Sequence, residues 1–308
     1  MKTMVWLSIL LPVFWALEAR ASACTENEGV AVQVLGSGGP IADDARASSG
    51  YLVWVDGRAR ALIDAGGGVF LRFGEAAARF EDLDVVALSH LHADHSAALP
   101  ALLKSGNFAG RERPLPLVGP GPGGPFPGVS AFVRSLLDDE EGAYGYLAGY
   151  LDGSGRLPLL EVTELPVDDP ARVVEVELAE DAGLSLEALP VPHGIVPALG
   201  LRVTVGGRRI VFGSDQNGSN PAFADFAAGA DLLVLHLVIP EDAGDIAKRL
   251  HATPTEVGRM AAAAGPARLV LSHFMARSLR HLDQNVARVR EHYKGELSLA
   301  GDLVCYAL

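Results

Sequence analysis

The chain has 308 residues, of which 49% are hydrophobic, 6% are aromatic and 35 are glycine, so it can bury a large core at many tight turns. Its formal net charge is −13, and no cluster of lysines and arginines stands out. Proteins that hold a nucleic-acid backbone usually carry a basic patch, because phosphate contacts supply much of the affinity. The composition therefore disfavours a typical nucleic-acid-binding protein, and we do not expect nucleic acid as a partner.

Residues 1–23 are typical of a secretory signal peptide. Lys2 precedes an apolar run from Met4 to Leu17, and Ala21-Ser22-Ala23 forms a small-residue cleavage pattern. The apolar run of about 14 residues is short for crossing a bilayer, so an uncleaved membrane anchor is the weaker alternative. We expect cleavage after Ala23 and export to the periplasm or the medium, with no stable membrane span afterwards.

Cleavage there makes Cys24 the first residue of the mature chain, and Cys305 is the only other cysteine. In an oxidising compartment the two could form one disulfide, and two reduced cysteines are the alternative. A lipid-anchored Cys24 is a further alternative. It is disfavoured because Ala21 stands where lipidated proteins usually have leucine.

Strand-like runs rich in Val, Leu and Ile alternate with helical segments through the rest of the chain. Helices are predicted over residues 97–104, 221–230, 242–250 and 255–264, the last after a capping threonine at Thr253. This alternation predicts one layered α/β domain over residues 24–308. Residues 105–165 form its least regular part, because Pro114 to Pro127 contains many prolines and glycines and must be a loop.

The most informative segment is His90-Leu91-His92-Ala93-Asp94-His95, which follows the apolar run from Val85 to Ser89. In a helix or a strand these side chains would point in several directions, so only a loop that leaves a strand can bring them together. Imidazole and carboxylate groups are ligands that suit a divalent ion such as zinc. The segment therefore predicts a metal site.

Three further candidates stand at the ends of predicted strands. His193, Asp215 and His273 each follow an apolar run. Any one of them alone would be an ordinary structural residue. Open sheets, however, place their chemistry beyond strand ends, where loops let side chains converge, so the shared position indicates a common site.

The order of these segments resembles the metallo-β-lactamase-fold hydrolases, in particular their ribonuclease Z and arylsulfatase-like branch. The matching segments run from about residue 30 to residue 277 and include Val34–Pro40, Ser48–Val53, Leu62–Gly66, the His90–His95 motif, Pro192–Gly200, Phe212–Asp215 and Leu269–Phe274. The resemblance implies an α/β fold of the four-layer αββα sandwich type, with the metals at one edge. It also implies that residues 105–165 form a loop-rich insertion on the substrate side.

The resemblance further implies a ligand arrangement. His90, His92 and His193 would hold one ion, and Asp94, His95 and His273 would hold the second. Asp215 would bridge the two. Asp64 would orient a ligand loop. The expected cofactor is Zn²⁺, two per chain, with Mn²⁺ or Fe as alternatives, and a hydroxide bridging the metals would be the nucleophile.

Two more histidines have implied catalytic roles beside Asp94, which would also orient the hydroxide. His251 matches a histidine that contacts the phosphate or sulfate of the substrate in the family. His236 stands where ribonuclease Z enzymes have a glutamate partner for that histidine, so the usual Glu–His pair is absent here. Arg277 could bind an anionic group, although an exposed arginine would be equally ordinary.

Together these features predict an exported, metal-dependent hydrolase for a small anionic ester, either a phosphodiester or a sulfate ester. The alternatives are a lactonase or β-lactamase that attacks a carbonyl, and a metal-binding protein without catalysis. Family ribonucleases that process transfer RNA carry a flexible basic arm, and no segment here resembles one. A homodimer is an assembly that the sequence leaves open.

Overall fold

The structure, a computed structural model, describes residues 24–179 and 182–308, so the predicted signal peptide lies outside the described residues. Within them, the strands form two seven-stranded sheets. The first sheet contains β1 (Val30–Gly36), β2 (Gly50–Val55), β3 (Arg58–Ile63), β4 (Val85–Ala87), β5 (Leu115–Pro120), β6 (Leu160–Leu165) and β14 (Cys305–Ala307). The second contains β7 (Val174–Val176), β8 (Leu184–Pro190), β9 (Leu199–Val205), β10 (Arg208–Phe212), β11 (Leu232–His236), β12 (Arg268–Ser272) and β13 (Glu296–Leu299).

The two sheets follow the same plan. Their strand orders are β14-β1-β2-β3-β4-β5-β6 and β13-β12-β11-β10-β9-β8-β7. In the first sheet, neighbouring strands are antiparallel from β14 to β3 and parallel from β3 to β6. In the second, they are antiparallel from β7 to β10 and parallel from β10 to β13. The carboxyl ends of the parallel strands in a sheet lie at one edge, so residues that follow them can converge there.

Helices connect and cover these sheets, and the four predicted helices are present. The predicted segments correspond to α3, α6, α7 and α8, and the side chain of Thr253 accepts a hydrogen bond from the Glu256 N–H at the start of α8. The described helices are α1 (Val69–Glu75), α2 (Ala93–Ser96), α3 (Leu99–Gly106), α4 (Val129–Leu137), α5 (Gly149–Asp152), α6 (Ala222–Phe226), α7 (Asp245–Leu250), α8 (Pro254–Ala264), α9 (Ala276–Leu279) and α10 (Leu282–His292). Short 3₁₀ helices lie at Phe80–Asp82, Gly145–Leu147 and Ser154–Arg156.

Both faces of each sheet are buried, which produces the layers. In β1, Val32 and Val34 belong to a core shared with Leu201 and Leu233 of the second sheet. The alternate residue Leu35 belongs to a second core, which it shares with residues of α3 and α4. Successive strand residues point to opposite faces, so one strand contributes to both cores. The predicted α/β fold, a four-layer αββα sandwich, is confirmed.

Residues 105–165 are more regular than the predicted loop-rich insertion. They contain β5 and β6 of the first sheet, together with α4 and α5. Tyr150 is fully buried in the second core, where its hydroxyl donates to the Leu103 carbonyl at 2.7 Å. Loops remain between these elements, among them the glycine- and proline-rich segment after β5. In that segment, the Phe126 ring lies 6.2 Å from the His92 ring.

Cys24 and Cys305 form a disulfide that joins the first described residue to β14, with a Cα–Cα distance of 5.7 Å. Of the two alternatives for these cysteines, the structure confirms the bonded one. A sulfur bonded to Cys305 cannot also carry a thioether-linked lipid, and Cys24 is fully buried. The lipid-anchored alternative is therefore wrong for the disulfide-bonded protein. A search for helices long and apolar enough to span a membrane finds none between residues 24 and 308, apart from the undescribed pair 180–181.

Candidate metal centre

The predicted ligands all lie just beyond the carboxyl ends of strands. The histidine motif follows β4, His193 follows β8, Asp215 follows β10 and His273 follows β12. The chain turns sharply at these exits, since Asp64, Ser214 and His273 adopt positive φ angles of 59°, 59° and 57°. Such angles are uncommon for residues other than glycine and are typical of functional sites held by their surroundings.

The structure brings all seven predicted ligands together in groups that could hold metal ions. One ligand atom from each member of a group lies within 4.8 Å of the others. The groups are His90, His92, His193 and Asp215; Asp94, His95 and His273; and Asp215, His236 and His273. Asp215 is shared: its Oδ2 lies 3.6 Å from His193 Nε2, and its Oδ1 lies 3.5 Å from His273 Nε2.

Hydrogen bonds behind the cluster fix which imidazole nitrogen faces inward. His193 Nδ1 lies 2.8 Å from the Leu250 carbonyl, which can only accept, so Nδ1 carries the proton and Nε2 is free. His95 Nδ1 likewise donates to Asp64 Oδ2 at 2.7 Å. Asp64 also accepts from the Ser89 N–H at 2.7 Å and the Ser89 hydroxyl at 2.9 Å. Asp64 therefore orients the ligand loop, as expected for a carboxylate behind a metal-binding histidine.

The inward-facing nitrogens approach one another closely. His95 Nε2 lies 3.0 Å from His273 Nε2, and His90 Nε2 lies 3.1 Å from His92 Nδ1. Neutral imidazoles whose lone pairs face each other at such distances repel, unless a cation or a proton lies between them. Imidazole nitrogens with a shared carboxylate are a donor set that zinc favours. The residues present therefore fit a divalent metal centre.

Burial sets the protonation of the histidines. Desolvation lowers the pKa of His90 well below its usual range and also lowers the pKa of His92, which favours the neutral form that binds metals. His95 differs. Burial would lower its pKa, but the Asp64 carboxylate outweighs burial and raises that pKa to about 9. A metal ion at this site must therefore displace a proton from His95.

The carboxylates stay ionised despite their burial. Burial alone would raise the pKa of Asp215, but its electrostatic interactions with His273 and His251 and the hydrogen bond from His236 hold it well below its usual range. Burial would also raise the pKa of Asp94, which the hydrogen bond from His273 and nearby histidine charge lower to about 2. Both groups therefore supply negative charge for a cation.

Replacing Asp64 with asparagine should weaken metal binding by roughly 10- to 100-fold, because loss of an orienting carboxylate behind a ligand has this typical cost. The variant keeps the shape of the side chain but loses the anion that accepts from His95. Competition with a chromophoric chelator measures the affinity. Asp225→Asn, an exposed carboxylate on α6, is the matched control. Equal affinities for the two variants would contradict this role of Asp64.

His236, which stands where the family has a glutamate partner for His251, contacts Asp215 instead. His236 Nδ1 donates to Asp215 Oδ1 at 2.7 Å, and its Nε2 lies 3.3 Å from the Tyr51 hydroxyl. Tyr51 donates in turn to Ser272 Oγ at 2.9 Å. The sequence analysis did not identify Tyr51 or Ser272 as site residues, since each lies in an ordinary strand sequence. They meet only because β2 and β12 belong to two sheets that face each other.

His251 and Arg277 lie at the mouth of the cluster. The His251 ring is 5.1 Å from the His193 ring, and its Nδ1 is 3.8 Å from Asp215 Oδ2. Burial lowers the pKa of His251 to about 4, so its imidazole is neutral near pH 7. The two residues line a pocket of about 420 Å³, and His193 lines a second pocket of about 460 Å³.

Comparison with known proteins identifies the family to which this chain belongs. Residues 59–274 match the family model described as the beta-lactamase superfamily domain. The ribonuclease Z of Mycobacterium marinum (strain ATCC BAA-535 / M) is 29% identical over 288 residues, which cover 89% of this chain and 97% of that protein.

Two solved structures resemble the fold at lower sequence identity. The metallo-beta-lactamase fold protein YhfI from Bacillus subtilis has a TM-score of 0.69 at 21% identity, over 91% of this chain and 99% of that one. The short form of human tRNase Z has a TM-score of 0.67 at 21% identity, over 90% of this chain and 98% of that one. At these identities the structural likeness concerns the fold alone.

Proposed function

Because this chain belongs to the beta-lactamase superfamily of metal-dependent hydrolases, we propose that it hydrolyses a small phosphodiester or sulfate ester at a dinuclear metal centre. One observation carries the proposal: Asp215 lies within 3.9 Å of nitrogens from both groups of donors, and these groups lie beside a neutral histidine that lines a pocket. Between the two esters, the similarity to ribonuclease Z favours phosphodiester chemistry.

In this proposal His90, His92 and His193 would hold one ion, Asp94, His95 and His273 would hold the other, and Asp215 would be shared by the two groups. Zn²⁺ is the expected metal, with Mn²⁺ or Fe as alternatives. Two such ions supply Lewis acidity, which lowers the pKa of a nearby water and offsets negative charge at the attacked centre.

The protein groups around the centre have separate tasks. Asp94 is ionised and slightly exposed, so its carboxylate can accept a hydrogen bond from the attacking water and orient it. His251 is neutral, so its ring can donate an N–H to an ester oxygen without giving up the proton. His236 donates to Asp215 and so keeps that carboxylate in its orientation; it is a positioning residue.

The direct test combines metal content with turnover of bis(4-nitrophenyl) phosphate. We expect about two metals per chain and hydrolysis that stops on chelation and returns when Zn²⁺ is added back, as for two-metal sites. An aryl sulfate, a lactone and nitrocefin assayed in parallel test the sulfate ester, lactonase and β-lactamase alternatives. Two bound metals without turnover of any substrate would favour the alternative of a metal-binding protein without catalysis.

His251→Ala should lower kcat/KM for bis(4-nitrophenyl) phosphate by about 10²- to 10³-fold, the usual cost of losing one hydrogen-bond donor to the charge that develops in the transition state. Its metal content should stay unchanged, because His251 is not among the proposed ligands. His281→Ala, at the start of α10, is the matched control. Loss of metal in His251→Ala would instead make His251 a ligand.

A ribonuclease is the second candidate. The similarity to ribonuclease Z extends over nearly the whole of that protein, which weighs against our expectation that nucleic acid is not a partner. The net charge of −13 weighs in the other direction, because a polyanion is repelled by such a surface. Cleavage of a structured RNA, assayed at low and moderate salt beside bis(4-nitrophenyl) phosphate, decides between the polymer and the small ester.

Export remains part of the proposal. The disulfide supports it, since such bonds persist in oxidising compartments. Amino-terminal sequencing of the protein from the periplasm or the medium should begin at Cys24. A protein that stays inside the cell with Met1 in place would exclude export.

A further inference from the structure

A pocket of about 420 Å³ adjoins the proposed metal centre, and we call it the α7 pocket. It is lined by Ile246, Ala247, Leu250, His251 and Arg277, together with Gly244 and Asp245 at the start of α7. Its volume lies within the range of about 300–1,000 Å³ that is typical of small-molecule sites. His251 joins the pocket to the metal centre, because its Nδ1 lies 3.8 Å from Asp215 Oδ2. A molecule bound at the centre can therefore extend into the pocket.

Most of the wall is aliphatic. Ile246, Ala247 and Leu250 all belong to α7, a six-residue helix with no buried residue. Ile246 is 70% exposed. A single exposed isoleucine is ordinary on a protein surface, but this one lines a concavity that reaches the reactive centre. The wall suits an apolar group and offers few polar partners.

Arg277 adds a positive charge to this apolar pocket. Its Nε donates to the Val238 carbonyl at 3.2 Å, which holds the guanidinium in place. Among the described residues, no carboxylate lies within ion-pair distance of it. The partly buried cation is therefore available to an anionic ligand, which a guanidinium can bind through several N–H groups.

The pocket is anchored to the metal centre. The Leu250 carbonyl accepts from His193 Nδ1 at 2.8 Å, and the Arg249 carbonyl accepts from the Gly194 N–H at 3.1 Å. A Cβ on Gly194 would lie 2.8 Å from Leu250 Cδ2, so the loop packs directly on the wall. The wall therefore has a fixed position relative to His193, and little ordering is needed when a ligand binds.

We propose that the α7 pocket binds the apolar chain of an amphiphilic phosphodiester whose phosphate lies at the metal centre. This rests on the proposed function, since the chain reaches the pocket only when the phosphate is held beside His251. The ribose–phosphate backbone of RNA has no such chain, so the pocket favours a small amphiphilic ester over the polymer.

The test uses methyl, butyl and octyl 4-nitrophenyl phosphate, which differ only in the alkyl chain. We expect kcat/KM to rise by about two- to threefold for each methylene that the pocket covers, somewhat less than complete burial would give. Ile246→Asp should bring the octyl-to-methyl ratio close to one, whereas Ile246→Leu should preserve the ratio. A flat dependence on chain length in the unaltered protein overturns the proposal.

Leu71→Asp is the matched control, because Leu71 is also a large exposed aliphatic residue, at 62%, and lies on α1 away from the pocket lining. Its octyl-to-methyl ratio should equal that of the unaltered protein. If Leu71→Asp lowers the ratio as much as Ile246→Asp does, the preference for long chains does not arise in the α7 pocket and the proposal fails.

Calorimetry of the metal-loaded protein with butyl and octyl phosphate separates this proposal from the proposed function. Tighter binding of octyl phosphate, lost in Ile246→Asp, supports the pocket even if no ester is hydrolysed. Hydrolysis of all three diesters with equal affinity for the two phosphates supports the hydrolase and overturns the pocket. No turnover and no chain-length preference would contradict both.

Discussion

Asp215→Ala is expected to lower kcat/KM for bis(4-nitrophenyl) phosphate on the order of 10³-fold or more, because several kcal/mol of charge stabilisation at the metal centre are lost. Metal content should fall from about two ions per chain to one or fewer, since Asp215 is the anion that both groups of donors would share. Asp215 lies within 3.9 Å of nitrogens from both ligand groups, including His90, His95 and His193. Removing it leaves two sets of donors with no shared anion.

The loss must be separated from unfolding. Far-ultraviolet circular dichroism and the melting temperature of the metal-free forms compare Asp215→Ala with the parent protein. Asp225→Ala, which removes an exposed carboxylate from α6, is the matched control and should keep both metals and full turnover. Two tightly bound ions in a folded Asp215→Ala protein would contradict the bridging role.

Removing the disulfide is expected to lower the free energy of unfolding by about 2–4 kcal/mol, a typical contribution for a native disulfide. The bond joins residues separated by 281 positions, so it restricts nearly the whole unfolded chain. Denaturant unfolding of the oxidised and the reduced protein, at fixed metal content, measures this difference. A thiol assay on the unfolded, unreduced protein should detect no free thiol.

The double variant Cys24→Ser/Cys305→Ser provides the control for reduction. The sequence contains no other cysteine, so the stability of this variant should not depend on the reductant. Its stability should match that of the reduced parent. Equal stability of the oxidised parent and the double variant would show that the bond adds nothing to the folded protein.

Local patterns predicted much of the fold and the cluster. The helices over 97–104 and 255–264 were placed correctly because their apolar spacing and capping residue are local signals. The His90–His95 motif was recognisable because its donors are adjacent in sequence. The glycine turn that carried part of the resemblance has a structural reason, since a Cβ on Gly39 would lie 2.8 Å from His273 Cε1.

The features that sequence reasoning missed depend on contacts between distant segments. Tyr51 lies on β2 and His236 ends β11, so their contact exists only because the two sheets face each other. The strands inside residues 105–165 were also not predicted, because their local sequence is typical of loops. β5 contains Pro116, Gly119 and Pro120, residues that usually indicate loops, but here they lie in a strand that pairs with β6.

The exposure of the short helix α7 affects how its sequence can evolve. None of its side chains is buried, so substitutions there cost little folding stability and few would be removed by selection. The last residue of the helix is constrained in a different way, because Leu250 contacts the His193 loop. With α7 in its proposed role, substrate preference can change by substitutions in α7 while the residues of the proposed metal centre are preserved, which lets one scaffold diversify without first losing its chemistry.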